Sequence, residues 1–272
     1  MGRSILFLTP QLPYPPQQGT AIRNYNLIAQ VARHNEVHLL SFTDAAYPAV
    51  DLGPLTELCT SLKTVPAPDR SNWRRLLTVL TSPLPDIAHR LSAVGFQQQL
   101  AVLLSVGSVD VLQIEALEMA QYGLWARRRA EAQTPLLVFD AHNAEYLLQQ
   151  RMFEADSRNP RRWLGALYSL IQWRKLRHYE AMVCREMDRV VACSGADAQA
   201  LAQLVPDQVP VVVPNGVDTQ YYQADVVSPV PLGAEALVFT GKMDFRPNVD
   251  AILWFCSDVL HKIRRAAPHA RL

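Results

Sequence analysis

The sequence predicts an α/β protein built on a doubly wound, Rossmann-like parallel sheet. Short apolar runs, as expected of strands that are covered on both faces, alternate with segments of helical period along most of the chain. Polar residues follow the ends of several of these runs, which is where ligands bind in open parallel sheets. Because parallel strands need crossover helices, this order of elements places helices on both faces of the sheet.

The predicted elements follow one another in a regular order. The predicted strands are residues 4–9, 36–42, 109–115, 135–143, 188–194 and 209–218. The predicted helices are residues 21–34, 116–132, 160–187 and 195–205. The intervening stretch from 43 to 108 is polar and interrupted by prolines, and no element is assigned to it.

Residues 219–234 break this alternation with two prolines, one glycine and little periodicity. They predict an interdomain linker after a first domain of residues 1–218. A strand and loop in 235–245 and a helix in 246–268 then begin a second Rossmann-like domain. About forty residues follow the linker, against ~100 or more for an independent doubly wound domain. We therefore expect residues 235–272 to be the truncated start of a carboxy-terminal domain.

Composition excludes several classes of function. The chain has 26 Lys+Arg and 25 Asp+Glu, so its charge does not indicate a nucleic-acid partner. Its four cysteines have no CxxC spacing and no histidine at zinc-ligand distance, which predicts reduced thiols in a cytosolic protein. The opening apolar run is too short for a signal peptide, and no run reaches the length of a membrane span. We expect a cytoplasmic protein, or one attached to the inner face of the cell membrane.

The first strand-to-helix connection, within "FLTPQLPYPPQQGTAIRNYN" (7–26), contains four prolines and one glycine. Gly19 allows close approach of a ligand and positive φ, and the amides of Thr20 and Ala21 start a helix that can bind an anion. The prolines restrict φ and lower the entropic cost of holding the loop. The alternative is a surface loop without a ligand. The chain has no GxGxxG at this position, which argues against a dinucleotide site.

Three other strand ends carry polar residues. In "FDAHNAEY" (139–146), Asp140, His142, Asn143 and Glu145 cluster after an apolar strand, and histidine can bind sugar hydroxyls or phosphate. The alternative there is a helix cap by Asn143. In "CSGADAQAL" (193–201), Ser194 is predicted to cap a helix. In "PNGVD" (214–218), Asn215 and Gly216 predict a turn.

The helix predicted over 160–187 is basic and amphipathic and carries Trp163 and Trp173. Such a helix can lie on an anionic membrane surface. The alternative is that it packs its apolar side on the sheet and exposes its charges to water.

These segments, in this order and spacing, resemble the retaining glycosyltransferases of family 4, which have the GT-B fold. The similarity is closest to bacterial sugar transferases of polysaccharide biosynthesis. The matching segments are "PYPPQQGTAIRNYNLIAQVARHNEVHLLSF", "DAHNAEY", "MDRVVACSGADAQAL", "VPNGVD" and "FTGKMDFRPNVDAILWF".

The resemblance implies two Rossmann-like domains facing a cleft, and a hexosyl group moved from a nucleotide-sugar to a lipid-linked or saccharide acceptor. It implies His142 near the donor sugar as the catalytic residue, and neither a cofactor nor a metal ion. The implied donor and phosphate contacts are Gly19, Thr20, Asn215, Gly216, Gly241 and Lys242. The implied acceptor-side residues are Arg23 and Asn143.

The chain departs from the family pattern at three points. Gly19 is followed by Thr20 where family members often have a second glycine, and Asn248 stands where a second basic residue often follows Gly241-Lys242. The Glu-x7-Glu element belongs to the part of the second domain that we expect to be missing. Two alternatives therefore stay open: a non-catalytic acceptor-binding module that needs a donor-binding partner, and a nucleotide-sugar epimerase. The epimerase would need acid/base carboxylates, for which Asp140 and Glu145 are the candidates.

Overall fold

The computed structural model of the chain describes residues 2–44, 52–129, 135–223, 225, 227–228, 230–243 and 246–272, with the backbone alone at residues 72, 74, 76 and 80. The chain divides into two compact units, Met1–Gly216 and Val217–Leu272.

The first unit is built on a sheet whose strands all run parallel. Its strands are β1 (Ser4–Thr9), β2 (Glu36–Thr43), β3 (Ser61–Pro66), β4 (Val111–Glu115), β5 (Leu136–Ala141), β6 (Arg189–Ala192) and β7 (Val211–Val212). Within the described ranges they form one seven-stranded sheet in the order β3-β2-β1-β4-β5-β6-β7. This confirms the predicted doubly wound fold class.

Helices connect these strands. They are α1 (Gly19–Val31), α2 (Leu55–Leu58), α3 (Asn72–Thr81), α4 (Asp86–Arg90), α5 (Val94–Val106), α6 (Ala120–Arg128), α7 (Glu145–Ser157), α8 (Trp163–Glu186) and α9 (Gly195–Leu204). A 3₁₀ turn, Pro160–Arg162, precedes α8. None of the helices that the structure describes is both long enough and apolar enough to cross a bilayer.

The structure corrects several predicted bounds. The stretch 43–108 contains β3 and four helices, α2 to α5, which the pattern did not reveal because β3 is a half-exposed edge strand and two of the helices are very short. Helix α6 begins only at Ala120, after a turn in which Ala116 has φ of 69°. Strand β7 is reduced to two residues between Pro210 and Pro214, which cannot donate to a ladder.

Side chains from alternate positions of the central strands pack into two cores, as the two-residue period of a strand requires. Leu6 and Leu8 of β1 belong to the larger core, and Phe7 belongs to the smaller one. In the larger core the Phe96 ring lies 4.3 Å from the Phe42 ring and 4.4 Å from the Tyr122 ring, between centroids. The smaller core consists of Phe7, Ile28, Val37, Leu39, Leu55 and Cys59.

The proline-rich connection between β1 and α1 is held by packing. Leu12 and Tyr14 pack against the smaller core, and the Tyr14 ring lies 5.9 Å from that of Tyr25. The Tyr14 ring also covers Gly53, whose φ of 44° and lack of a Cβ leave room for it. The connection that leads into α1 is therefore fixed by packing, and it places the start of α1 at the edge of the sheet.

The second unit is mainly helical. It contains α10 (Arg246–Trp254), a π-helical segment (Phe255–Val259) and α11 (Leu260–Ala266). The strand predicted in 235–245 is wrong as a strand, because among the residues described there, 235–243, the bridge is limited to Ala236, which pairs with Arg271. A strand needs a partner along its length, and in the described residues of this unit the ladder is limited to that pair. Leu253 and Trp254 are exposed.

Candidate active site

The candidate site lies at the carboxyl edge of the sheet in the first unit. The chain moves outward from β1 to β3 and then returns to β4 on the other side of β1, which makes the β1–β4 crevice the topological switch point. Leu8 of β1 pairs with Ile114 of β4, and Glu115 of β4 pairs with Asp140 of β5. Polar residues at the ends of these strands are thus brought to one place.

A buried ion pair joins α1 to β5. The Arg23 guanidinium donates to Asp140 Oδ2 from Nε at 3.1 Å and from Nη2 at 2.8 Å. Its Nη1 donates to the Val213 carbonyl oxygen and to Asn215 Oδ1, both at 2.9 Å. The Arg23 and Asp140 side chains are only 4% and 1% exposed. One guanidinium therefore ties together α1, the end of β5 and the segment after β7.

A second pair joins β4 to the loop after β5. His142 Nε2 lies 2.8 Å from Glu115 Oε2, and Gln113 Nε2 donates to Glu115 Oε1 at 3.0 Å. Glu115 is fully buried, whereas the His142 side chain retains 12% exposure. Since a carboxylate only accepts, Nε2 of His142 carries the hydrogen of this bond.

The two pairs form one electrostatic network. Ligand atoms of Glu115, Asp140 and His142 all lie within 4.8 Å of one another. Burial, with the nearby Glu115, raises the pKa of Asp140 to about 6, although Arg23 and His142 oppose the shift. Burial lowers the pKa of His142, but its hydrogen bond to Glu115 and the charges of Glu115 and Asp140 outweigh this, so the net pKa is raised. The network thus favours the charged form of the imidazole.

The loop that carries His142 is held by carboxylates from two other helices. Asp197 of α9 accepts from the Ala144 amide at 3.0 Å. Glu180 of α8 accepts from the amides of Glu145 and Tyr146 at 3.0 and 2.9 Å. Burial raises the pKa of Glu180 to about 8, although the two amides lower it. Helix α7 is therefore capped from a neighbouring helix.

Of the two helix caps considered from the sequence, the structure confirms one and corrects the other. Asn143 does not cap α7, since its Nδ2 donates to Glu145 Oε1 at 3.3 Å and the N-cap residue is Ala144. Ser194 does cap α9, because its Oγ accepts from the Asp197 amide at 3.1 Å.

The start of α1 is uncapped. Its N-cap residue, Gln18, makes no side-chain cap, and its first turn has no acidic residue. The positive φ allowed for Gly19 is not found, since the glycines with positive φ in the described residues are Gly53 and Gly233. A Cβ on Gly19 would meet no atom within 4 Å. Neither backbone conformation nor packing therefore requires glycine here, which leaves close approach of a ligand as the reason the position could need it.

Asn24, Thr9 and Asp140, which lie on α1, β1 and β5, keep buried polar atoms without hydrogen-bond partners in the described part of the chain. The atoms are Thr9 Oγ1, Asn24 Oδ1 and Nδ2, and Asp140 Oδ1. Buried polar atoms are nearly always satisfied, and leaving one unpaired costs about 1–3 kcal/mol. Ordered water or ligand atoms at this edge would satisfy them.

The carboxylates of this network do not form a free metal site. Glu115 accepts from Gln113 and His142, and Asp140 Oδ2 accepts from Arg23, so three of the four oxygens already have protein donors. The positive charge of Arg23 also balances Asp140 without an ion. We therefore assign no metal to these residues.

The remaining predicted donor contacts fall in different places. Asn215 is bonded to Arg23, and Gly216 has open space around it. In the second unit, a Cβ on Gly241 would lie 2.9 Å from the Phe239 ring and 3.0 Å from Asn248 Nδ2. Asn248 Nδ2 also donates to the Lys242 carbonyl at 2.9 Å. Asn248, which replaces the expected basic residue, thus supports the Gly241-Lys242 turn.

A shallow depression of about 410 Å³ lies beyond the end of β3. Its lining residues are Pro68, Asp69, Arg70, Leu77, Thr78, His89 and Ser92. None of the predicted site residues lines it, so the chemistry at the carboxyl edge and this depression are separate features.

Sequence patterns found part of this network. They singled out Arg23, Asp140, His142 and Asn215, which the structure brings together, but missed Glu115, Glu180 and Asp197. Glu115 had a signal: it is an acidic residue at the carboxyl end of the apolar run "VLQIE". Arg23 was expected on the acceptor side, yet its guanidinium is buried and fully engaged with the protein.

The sheet order defines a Rossmann-like α/β fold, and the polar network lies at its switch point. A family model described as Glycosyltransferase Family 4 matches residues 18–221, more than half of the chain. The chain therefore belongs to this family. No curated protein matched it by sequence.

Solved structures give weaker similarities. The N-terminal domain of Candida albicans trehalose-6-phosphate phosphatase is 13% identical, over 81% of this chain and 50% of that one, with a TM-score of 0.44. The glycotransferase of kitacinnamycin is 15% identical, over 94% and 64%, with a TM-score of 0.48. Phytolacca americana UGT2, complexed with UDP-2fluoro-glucose and pterostilbene, is 12% identical, over 79% and 54%, with a TM-score of 0.42. The chain spans between half and two thirds of the length of these structures.

We predict that Glu115→Gln lowers the pKa of His142 below the ordinary histidine value of about 6.5. The substitution removes the charge of Glu115, which raises this pKa more than Asp140 does, and leaves the burial, which lowers the pKa more than Asp140 raises it. A proton NMR titration of the histidine Cε1–H signals measures the shift, with His142→Asn to assign the resonance. Glu154→Gln, which removes an exposed carboxylate bonded to Gln150, is the control and should change nothing. An unshifted His142 signal in Glu115→Gln would show that Glu115 does not set its charge.

Proposed function

We propose that this protein transfers a hexosyl group from a nucleotide-sugar donor to a saccharide or lipid-linked acceptor, with retention at the anomeric carbon. The observation that carries the proposal is the buried Arg23–Asp140 and Glu115–His142 network beside the uncapped start of α1, in a chain of this family. A glycosyl transfer needs a leaving diphosphate to be stabilised and a sugar to be oriented, and this edge offers a group for each task.

The donor diphosphate is assigned to the start of α1. The amides of Gly19 and Thr20 begin a 13-residue helix that has neither a capping side chain nor an acidic residue in its first turn. Such amides and the helix dipole stabilise negative charge as it develops on a leaving group. We assign the segment Asn215-Gly216, which lies in the same unit, to this donor. We propose Gly241-Lys242 of the second unit as a further phosphate-binding segment, with Lys242 supplying a cation.

The transferred sugar is assigned to His142. Its Nε2 is held by Glu115, which leaves Nδ1 as the atom to meet the substrate. In the charged imidazole, which the raised pKa favours, Nδ1–H donates to a sugar hydroxyl or phosphate oxygen. Glu115 is thus a positioning residue, because it acts through His142.

On the acceptor side, Asn143 keeps its proposed role and Arg23 does not. Asn143 is exposed next to His142 and has an amide that can bind acceptor hydroxyls. Arg23 would have to leave Asp140, Val213 and Asn215 to reach an acceptor, and breaking a buried ion pair costs about 3–5 kcal/mol. We therefore assign Arg23 to holding the site together.

The two alternatives differ in their support. An epimerase would need several carboxylates that face a substrate. Of its two candidates, Asp140 is buried and bonded to Arg23, which leaves Glu145 alone. An acceptor-binding module would bind saccharide without a nucleotide-sugar, and the binding measurement below separates it from the transferase.

We predict that Gly19→Val weakens binding of the nucleotide-sugar by about tenfold or more, since a charged hydrogen bond contributes about 1.5–3 kcal/mol. The added Cβ has open space, so the fold should be retained. Isothermal titration calorimetry with a panel of UDP-, GDP- and dTDP-hexoses first identifies the donor on the wild-type chain.

Gly195→Val is the matched control for this substitution. Gly195 also begins a helix and also has open space around it, but that helix is capped by Ser194. If both variants bound the nucleotide-sugar with wild-type affinity, the assignment of α1 to the donor site would be contradicted. Absence of binding by the wild-type chain itself would favour the acceptor-binding module.

We predict that His142→Ala reduces turnover by about 10²-fold, the usual effect of losing one donor oriented toward developing charge. Release of nucleoside diphosphate in the presence of acceptor measures turnover, and circular dichroism checks the fold. His178→Ala is the control, because His178 is exposed and bonds only to Arg174 of its own helix. Equal activity of the two variants would contradict the assignment of His142.

A further inference from the structure

The first half of α8 and the neighbouring helix α3 expose an unusual set of large apolar side chains. On α8 they are Trp163, Leu164 and Leu167, at 71%, 86% and 56% exposure. On α3 they are Trp73 and Leu77, at 72% and 51%. We call these five residues the α3–α8 surface. Contiguous exposed apolar patches mark interaction sites.

The two helices lie side by side, so their exposed residues belong to one surface. Lys175 Nζ of α8 donates to the carbonyls of Val79 and Ser82, at the end of α3, at 2.6 and 2.7 Å. The Tyr168 hydroxyl of α8 interacts with the Arg75 side chain of α3. Arg75 to Val79 therefore lies close to Tyr168 to Lys175, and the exposed tryptophans Trp73 and Trp163 precede these two segments in α3 and α8.

Positive charge borders this surface. Arg158, Arg161 and Arg162 are exposed immediately before α8. Near α8, Asp156 is buried and pairs with Arg162 at 3.4 Å, and Glu154 accepts from Gln150. Near α3, Asp86 is buried and pairs with Arg70 and Arg75 at 3.1 and 3.6 Å, and Asp69 is exposed. Farther along α8, Arg174 and His178 are exposed in line with Leu167, at helical spacings of seven and eleven residues. The border thus carries an excess of cations.

Trp173 is not part of this surface, contrary to the orientation expected of a membrane-facing helix. It is partly buried against the larger core, and its ring stacks with Phe153 at a centroid distance of 6.1 Å. Trp73 of α3, which the sequence analysis did not single out, is the second exposed tryptophan of this surface. The surface consequently comes from two helices and not from α8 alone.

We propose that the α3–α8 surface docks on an anionic lipid bilayer. Tryptophan rings favour the interface between headgroups and acyl chains, and leucines beside them enter the acyl region. Arginines at the border bind lipid phosphates. A second copy of the chain fits less well, because a two-fold interface brings the same basic border close to itself. This inference concerns the surface to which the protein binds, and it does not depend on the proposed glycosyl transfer.

The experiment is co-sedimentation with vesicles, without donor or acceptor. Vesicles of equal parts phosphatidylglycerol and phosphatidylcholine should bind the wild-type chain at 50 mM salt, and vesicles of phosphatidylcholine alone should bind it much less. Binding to the anionic vesicles should fall at 500 mM salt, where charges are screened within a few ångströms.

Two variants locate the binding surface. Trp73→Ser combined with Trp163→Ser should weaken binding at least about tenfold, and Arg158→Glu combined with Arg161→Glu at least about twentyfold, since each arginine near the surface contributes about fivefold. The matched controls are Trp254→Ser, at an exposed tryptophan of the second unit, and Arg33→Glu with Arg128→Glu, at exposed arginines elsewhere.

Three results would overturn the proposal. They are equal binding to neutral and anionic vesicles, loss of binding in the control variants to the same degree, and retention of binding in the tryptophan and arginine variants. Light scattering without vesicles gives the remaining test. A wild-type dimer that the Trp73→Ser, Trp163→Ser variant dissociates would assign this surface to a second copy of the chain.

Discussion

The buried ion pair between Arg23 and Asp140 is the interaction on which the rest of the site depends. It places a guanidinium and a carboxylate in the protein interior, where an unpaired charge costs several kcal/mol. The same guanidinium binds Val213 and Asn215. Helix α1, the end of β5 and the segment after β7 must therefore keep one arrangement, and the uncapped start of α1 is fixed relative to the loop that carries His142.

This constraint explains how a small number of residues can hold the groups of the site in the arrangement that the chemistry needs. Asp140 lies beside Glu115 and His142 and pairs with Arg23, so this one carboxylate interacts with both the guanidinium and the imidazole. The His142 loop is fixed independently by Glu180 and Asp197. Groups held in this way need little reorganisation when charge develops on a substrate, which is the main source of electrostatic stabilisation in enzymes.

The sequence predicted the parallel sheet and the strand ends that carry His142 and Asn215, because apolar runs and polar strand ends have local patterns. It could not predict that Arg23 is buried, since its partners lie 117 to 192 residues away. The role of Glu180 could not be predicted for the same reason, because this residue lies within a basic helix and caps a different helix. The short helices of 43–108 and the orientation of Trp173 depend on packing between elements, which periodicity does not reveal.

A double-mutant cycle on Arg23 and Asp140 tests the central claim most directly. Chemical denaturation gives the free energy of unfolding of wild type, Arg23→Met, Asp140→Asn and the double variant. Each single variant should lose about 3–5 kcal/mol, and the double variant little more than either, because removing both charges leaves none unpaired. The exposed pair Arg90–Glu118 serves as the control, with a coupling below about 1 kcal/mol. Additive losses at Arg23 and Asp140 would contradict the account.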